Sequence, residues 1–143
     1  MHELSGSCHC GNLYVQLQLT RPPDTYQPRA CDCDFCRKHG AAYVSDPQGS
    51  LLIRISDERQ AGKYHQGSGQ AELLLCRNCG VLVGAVYRGK ERLYAAVNAT
   101  ILDGAARFGA PQPVSPKSLS DRDKAQRWRE IWFSEVSVVT GAA

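Results

Sequence analysis

A mainly β chain with antiparallel pairing is predicted by three features of the 143-residue sequence. Leu13, Val15, Leu17 and Leu19 alternate with Tyr14, Gln16 and Gln18, the period of two expected of a half-buried strand. Further short apolar runs follow at 51–55, 72–75, 81–87 and 92–97, separated by the turn formers of 46–49, 67–69 and 88–90. Helical periodicity does not recur between these runs, as βαβ units would require. Residues 109–118 hold Pro111, Pro113 and Pro116 and are expected to form a loop or an extended connector. Ser120 then resembles an N-cap with Asp123 three residues on, and Trp128, Ile131 and Trp132 fall at helical spacing. This predicts a C-terminal helix over 121–132. The tail 133–139 can return as a strand.

The length suits one domain, over 4–140, and the 43% hydrophobic and 22% charged content is that of a packed globule rather than a disordered chain. The formal charge of +3 is too small to indicate nucleic-acid binding by itself. The N-terminus lacks a basic segment followed by an apolar run, and residues 73–76, among the longest unbroken apolar stretches, fall far short of the ~20 needed to span a bilayer. A reducing, cytoplasmic setting is therefore expected, with no membrane partner.

Seven cysteines occur in three groups: Cys8 and Cys10; Cys31, Cys33 and Cys36; Cys76 and Cys79. In a reducing compartment such clusters bind metal or do redox chemistry more often than they form disulfides. Structural zinc takes four ligands in a closed tetrahedron, and catalytic zinc takes three with one position open, so seven sulfurs divide as four plus three. Both two-cysteine groups end in Cys-Gly, at Gly11 and Gly80, where positive φ would let the chain curl its N–H groups toward the thiolates. Cys8, Cys10, Cys76 and Cys79 are accordingly assigned to a structural zinc. The trio within six residues can converge on a second ion and leave room for water or substrate. Buried apolar cysteines, three disulfides with a spare thiol, and one zinc beside a redox cluster are the competing readings.

At these residues the sequence resembles the glutathione-dependent formaldehyde-activating enzyme family, which also includes centromere protein V. The resemblance is carried by 6–11 (GSCHCG), 31–41 (CDCDFCRKHGA) and 76–80 (CRNCG), and runs from about Leu4 to Asp103, leaving 104–143 divergent. It implies a zinc-containing β-sandwich similar to that of a Rab exchange accessory factor, with short helices. It also implies Cys31, Cys33 and Cys36 as catalytic zinc ligands and Cys8, Cys10, Cys76 and Cys79 as structural ones. The implied activity is that of a carbon–sulfur lyase making S-hydroxymethylglutathione. His39 stands where the family usually has Ser, and 111–132 does not resemble the family's usual ending.

Several other residues are candidates. His39 could shuttle protons or serve as a fourth ligand. Arg37 and Lys38, with Arg29, could receive the carboxylates of an acidic thiol such as a glutathione conjugate. His9, between two ligands, should point away from the metal. Arg122, Lys124, Arg127 and Arg129, interspersed with acids, read as a solvated helix face, and Trp128 and Trp132 as core or interface. The expected partner is a small thiol or thiol–aldehyde adduct, with a homo-oligomer also possible. A non-catalytic, zinc-stapled module for a protein or nucleic acid is the alternative, although scattered basic residues and 8% aromatic content argue against nucleic acid. Sulfoxide reduction would need a cysteine outside both zinc sites. Seven thiolates and two zinc ions together bring the formal charge to about zero.

Overall fold

Leu13, Val15, Leu17 and Leu19 are fully buried and Tyr14, Gln16 and Gln18 half-buried, so the alternating run becomes strand β2 (Leu13–Leu19) as patterned. The computed structural model describes residues 1–141; 142–143, the end of the divergent stretch, lie outside the described residues. Around β2 the chain forms β1 (His2–Ser7), β3 (Arg29–Cys31), β4 (Tyr43–Val44), β5 (Ser50–Ile55) and β6 (Ala61–Tyr64). There follow β7 (Ala71–Cys76), β8 (Leu82–Arg88), β9 (Leu93–Asn98), β10 (Gln112–Val114) and β11 (Val136–Thr140). The helices are α1 (Asp34–His39) and α2 (Asp121–Ile131).

The strands make two sheets, ordered β1-β2-β5-β11 and β10-β3-β4-β9-β8-β7-β6. Pairing is antiparallel except at two edges, where β10 runs parallel to β3 and β11 parallel to β5. Both exceptions come from the C-terminal part, whose long connections free a strand from the reversal that a tight hairpin imposes. Residues 112–114, expected in a loop or connector, form an edge strand instead, where Pro113 costs no central ladder bond.

Two apolar cores result. One lies between the sheets and joins Leu13, Leu17 and Ile53 of the smaller to Leu74, Val86 and Val97 of the larger. The other lies on the far face of the larger sheet, where Leu73, Leu82, Ala85 and Ala96 are covered by Trp132 and Cys36. Helix α2 begins at Ser120, whose side chain accepts from the Asp123 N–H, as the sequence predicts. Its end supplies both cores: Trp132 enters the outer one and Phe133, fully buried, the inner one. Phe133 is pinned there by a two-way backbone bridge with Ala95. Among the described residues no helix is long and apolar enough to cross a membrane.

Asp46, buried after β4, accepts hydrogen bonds from the Thr20 N–H (2.9 Å) and hydroxyl (2.6 Å), the Tyr26 hydroxyl (2.7 Å) and the Gln48 N–H (2.9 Å). Burial alone would raise its pKa, but these four donors outweigh it and hold the carboxyl at about 2. The folded value lies below the unfolded one, so the stabilisation is complete above pH ~4 and is lost as pH falls toward 2. Asp46→Ala is expected to cost about 2–3 kcal/mol at pH 7 in urea unfolding, with the deficit shrinking at pH 3.

Candidate metal centres and the adjoining cavity

The turn between β1 and β2 carries Cys8 and Cys10, while Cys76 ends β7 and Cys79 lies in the turn from it to β8. Gly11 and Gly80 adopt φ of 87° and 81°, and each returns its N–H to a carbonyl, Gly11 to Cys8 and Gly80 to Cys76. This is the curl expected of the two Cys-Gly knuckles, a backbone region that residues with a Cβ rarely enter. It turns further N–H groups onto sulfur: Leu13 donates to Cys8 Sγ (3.3 Å) and Cys79 to Cys76 Sγ (3.4 Å). All four sulfurs lie within 4.8 Å of one another, with Cys8 to Cys10 at 3.8 Å and Cys10 to Cys76 at 3.5 Å. Tetrahedral zinc–thiolate bonding sets this edge at about 3.8 Å. Burial pushes the Cys8 thiol up to about 12, while at Cys79 hydrogen bonds from the Cys10 and Val81 backbone overcome burial and bring it to about 6.

The second cluster is built by β3 and the start of α1. Cys31 ends the strand, Cys33 caps the helix, and Cys36 sits in its first turn, buried. Cys33 Sγ accepts the Cys36 N–H at 3.4 Å, the same short-range bond that joins Cys76 to Cys79. The three sulfurs also lie within 4.8 Å of one another. Hydrogen bonding with Cys36 draws Cys31 down to about 6 against the opposing effect of burial, and the same interaction raises Cys36. Cys36 Sγ lies 3.2 Å from the Tyr43 hydroxyl, whose pKa burial raises.

Cys31, Cys33 and Cys36 open onto a cavity of about 140 Å³, whereas the four-sulfur cluster does not line it. Its apolar wall includes Leu73, Ala85, Trp128 and Trp132, the two indoles stacked at 5.1 Å and 22°. Its polar wall includes Arg29, Gln66, Lys117, Lys124 and Arg127. Arg29 is half-buried and donates to Ser45 Oγ (2.7 Å), which in turn donates to the Ile131 carbonyl (2.7 Å). Burial and the positive charge of Arg127 push Arg29 down to about 10. Lys117 pairs with Asp32 at 3.7 Å.

The candidates adjacent in sequence to the trio lie elsewhere. Arg37 and Lys38 are exposed and do not line the cavity, and Arg37 pairs with Asp34 at 3.2 Å. His39 is exposed too, its ring 4.5 Å from Phe35, and it is not grouped with the three sulfurs. The reason is α1 itself, which begins at the cluster and carries these later residues onto its solvent face. His9 is exposed. Lys124 and Arg127, read as part of a solvated face, belong to the cavity wall, and Trp128 and Trp132 serve both packing and lining. Tyr43 and Gln66 were not anticipated: neither falls in a motif, and they reach the cavity from β4 and from the turn between β6 and β7. All seven cysteines are free thiols, so the disulfide reading does not hold.

The donor sets fit zinc: four thiols closed on one another, and three beside a cavity. The fold and these clusters define a two-sheet β-protein with two cysteine centres able to hold zinc. A family model described as glutathione-dependent formaldehyde-activating enzyme matches residues 3–118, and the chain belongs to that family. The match extends beyond Asp103 to take in β10 and Lys117, and leaves α2 and β11 outside it. A crystal structure of a Rhodobacter sphaeroides protein shares the fold at TM-score 0.54 and 24% identity, covering 94% of this chain and 99% of its own. No match was found among curated proteins.

The two centres predict different consequences of ligand loss. Cys76→Ser is expected to destabilise the fold by more than about 3 kcal/mol, because metal binding at a closed site is folding free energy. Cys31→Ser is expected to lower bound zinc from two ions to one while moving the melting temperature only a few degrees. Metal analysis and thermal melts of both variants check this.

Proposed function

We propose that this protein is a zinc-dependent, carbon–sulfur lyase-like enzyme acting on thiol–aldehyde adducts, with a small thiol or its conjugate, such as a glutathione conjugate, as substrate. The observation that carries the reading is that the three-sulfur cluster opens to a cavity while the four-sulfur cluster does not. That asymmetry is the one expected between a working and a structural zinc. Membership of the formaldehyde-activating family supports it. Seven free thiols suit a reducing compartment such as the cytoplasm.

In the synthetic direction the thiol sulfur attacks the aldehyde carbon. A carbon–sulfur bond forms, the carbonyl π bond breaks, and the thiol proton finishes on oxygen; the reverse reaction breaks the carbon–sulfur bond. No oxidant or reductant is consumed. Cys31, Cys33 and Cys36 would hold the zinc, which when bound supplies Lewis acidity and lowers the pKa of a coordinated ligand. The Tyr43 hydroxyl steadies Cys36 Sγ, and Gln66 Nε2 approaches Cys33 Sγ at 3.8 Å. Such outer partners orient ligands and set their basicity. Trp128 and Trp132 keep bulk water off one side of the cavity.

The test is the rate of hydroxymethyl adduct formation from formaldehyde and a panel of thiols, followed by NMR with zinc-loaded protein. Acceleration over the spontaneous reaction is expected, abolished by Cys33→Ser and lowered about 10–100-fold by Tyr43→Phe. No acceleration with any thiol, together with retention on DNA or a protein partner, would favour the non-catalytic platform instead.

A further inference from the structure

The cavity beside the three-sulfur cluster carries more positive charge than that cluster can absorb. Lys117 is neutralised by Asp32. Among the described residues Arg29, Lys124 and Arg127 have no carboxylate within ion-pair distance, although the chain forms such pairs elsewhere. Three thiolates around one divalent ion carry a single net negative charge, so the three free cations leave a surplus of about two positive charges.

Arg29 makes the imbalance local. A guanidinium has five N–H donors, and here the protein engages it through one neutral acceptor, Ser45 Oγ. The side chain is half-buried, and Arg127, a second guanidinium, lines the same cavity. Burying a cation beside another cation is costly unless an anion completes the arrangement. The Arg29–Ser45–Ile131 relay also ties the guanidinium to the C-terminal end of α2, so its direction is fixed before anything binds. Lys124, Arg127 and Trp128 follow at i, i+3 and i+4 on one helix face, and all three line the cavity. The acids of α2, Asp121, Asp123 and Glu130, are on its exposed side.

We infer that Arg29, Lys124 and Arg127 form an anion subsite for a carboxylate of the substrate, so that the preferred thiol or thiol adduct is an acidic one. Arg29 and Arg127 offer the forked donors that suit a carboxylate, and Lys124 adds a point charge. The stacked indoles give the intervening carbon chain an apolar surface. The subsite takes two of its three cations from a helix outside the residues matched to the family, so this preference belongs to the chain's own C-terminal part. The inference rests on the proposed thiol chemistry for the identity of the substrate, but not for the anion subsite itself.

Trp128 and Trp132 are the chain's two tryptophans, so their fluorescence reports the cavity directly. Zinc-loaded protein would be titrated with 3-mercaptopropionate, the neutral 3-mercaptopropanol, the cationic cysteamine and thiol-free propionate. The expected result is binding of 3-mercaptopropionate at least about tenfold tighter than 3-mercaptopropanol, a difference of ~1.4 kcal/mol, with cysteamine weakest. Lys124→Gln and Arg127→Gln should each remove most of that preference by weakening 3-mercaptopropionate far more than 3-mercaptopropanol, while Arg127→Lys retains part of it. These α2 variants are used because Arg29, bonded within the fold, is the one whose replacement risks misfolding. Equal affinity for the acid and the alcohol, or a preference that survives the Lys124→Gln/Arg127→Gln double variant, would overturn the subsite. The two readings fail separately. Turnover of thiols without charge preference removes the subsite and leaves the proposed function, whereas charge-selective binding of propionate without any turnover does the reverse.

Discussion

The arrangement depends first on four sulfurs that join two turns belonging to different sheets. Cys8 and Cys10 end one hairpin of the smaller sheet, and Cys76 and Cys79 end one hairpin of the larger. Cys8 and Cys76 are also members of the inter-sheet core, buried to 1% and 0% exposure. The same residues thus belong both to the four-sulfur cluster and to the packing, and apolar burial and sulfur convergence reinforce each other. Two glycines at positive φ make this possible, since each lets a hairpin curl back over its own sulfur. A sandwich of this size has a modest core, and a metal held only by the folded pair of turns would add its binding free energy to that core.

The second cluster uses the far face of the larger sheet, and there the C-terminal segment is decisive. Trp132 and Phe133 are consecutive, yet one enters the outer core and the other the inner. That split fixes where α2 stops, because the chain must leave the helix, bridge to Ala95 and continue into β11 on the other sheet. With its end held, the helix lies across the outer core with Lys124, Arg127 and Trp128 toward the cysteine trio. The cavity is a consequence of packing at both ends: β3 and α1 present the sulfurs, and α2 closes the opposite wall.

Legibility in the sequence followed physical cause. Strand β2 was readable to the residue because one face is buried and the other is not, which enforces strict alternation. Strands β1, β3, β4 and β6 were not, because they are short or rich in Gly and Ser and draw their order from neighbours rather than from their own pattern. The cysteine partition was readable because ligand number and knuckle spacing are local chemistry. The cavity wall was not. Lys124 and Arg127 share their helix with Asp121, Asp123 and Glu130 as on a solvated helix, and only the placement of α2 distinguishes the two faces.

That contrast bears on how chemistry and selectivity are divided along the chain. Arg37 and Lys38 follow the trio directly in sequence and were the natural candidates for meeting a substrate, but α1 starts at Cys33 and turns them outward. The cations that do share the cavity with the sulfurs come from β3 and from the far end of the chain. All seven cysteines lie within the residues matched to the family, while α2 lies beyond them. A frame of this kind can keep its metal ligands constant and change what it accepts by altering one covering helix. The helix is anchored at its end by Trp132 and Phe133, so Lys124 and Arg127 are free to vary without dismantling the site.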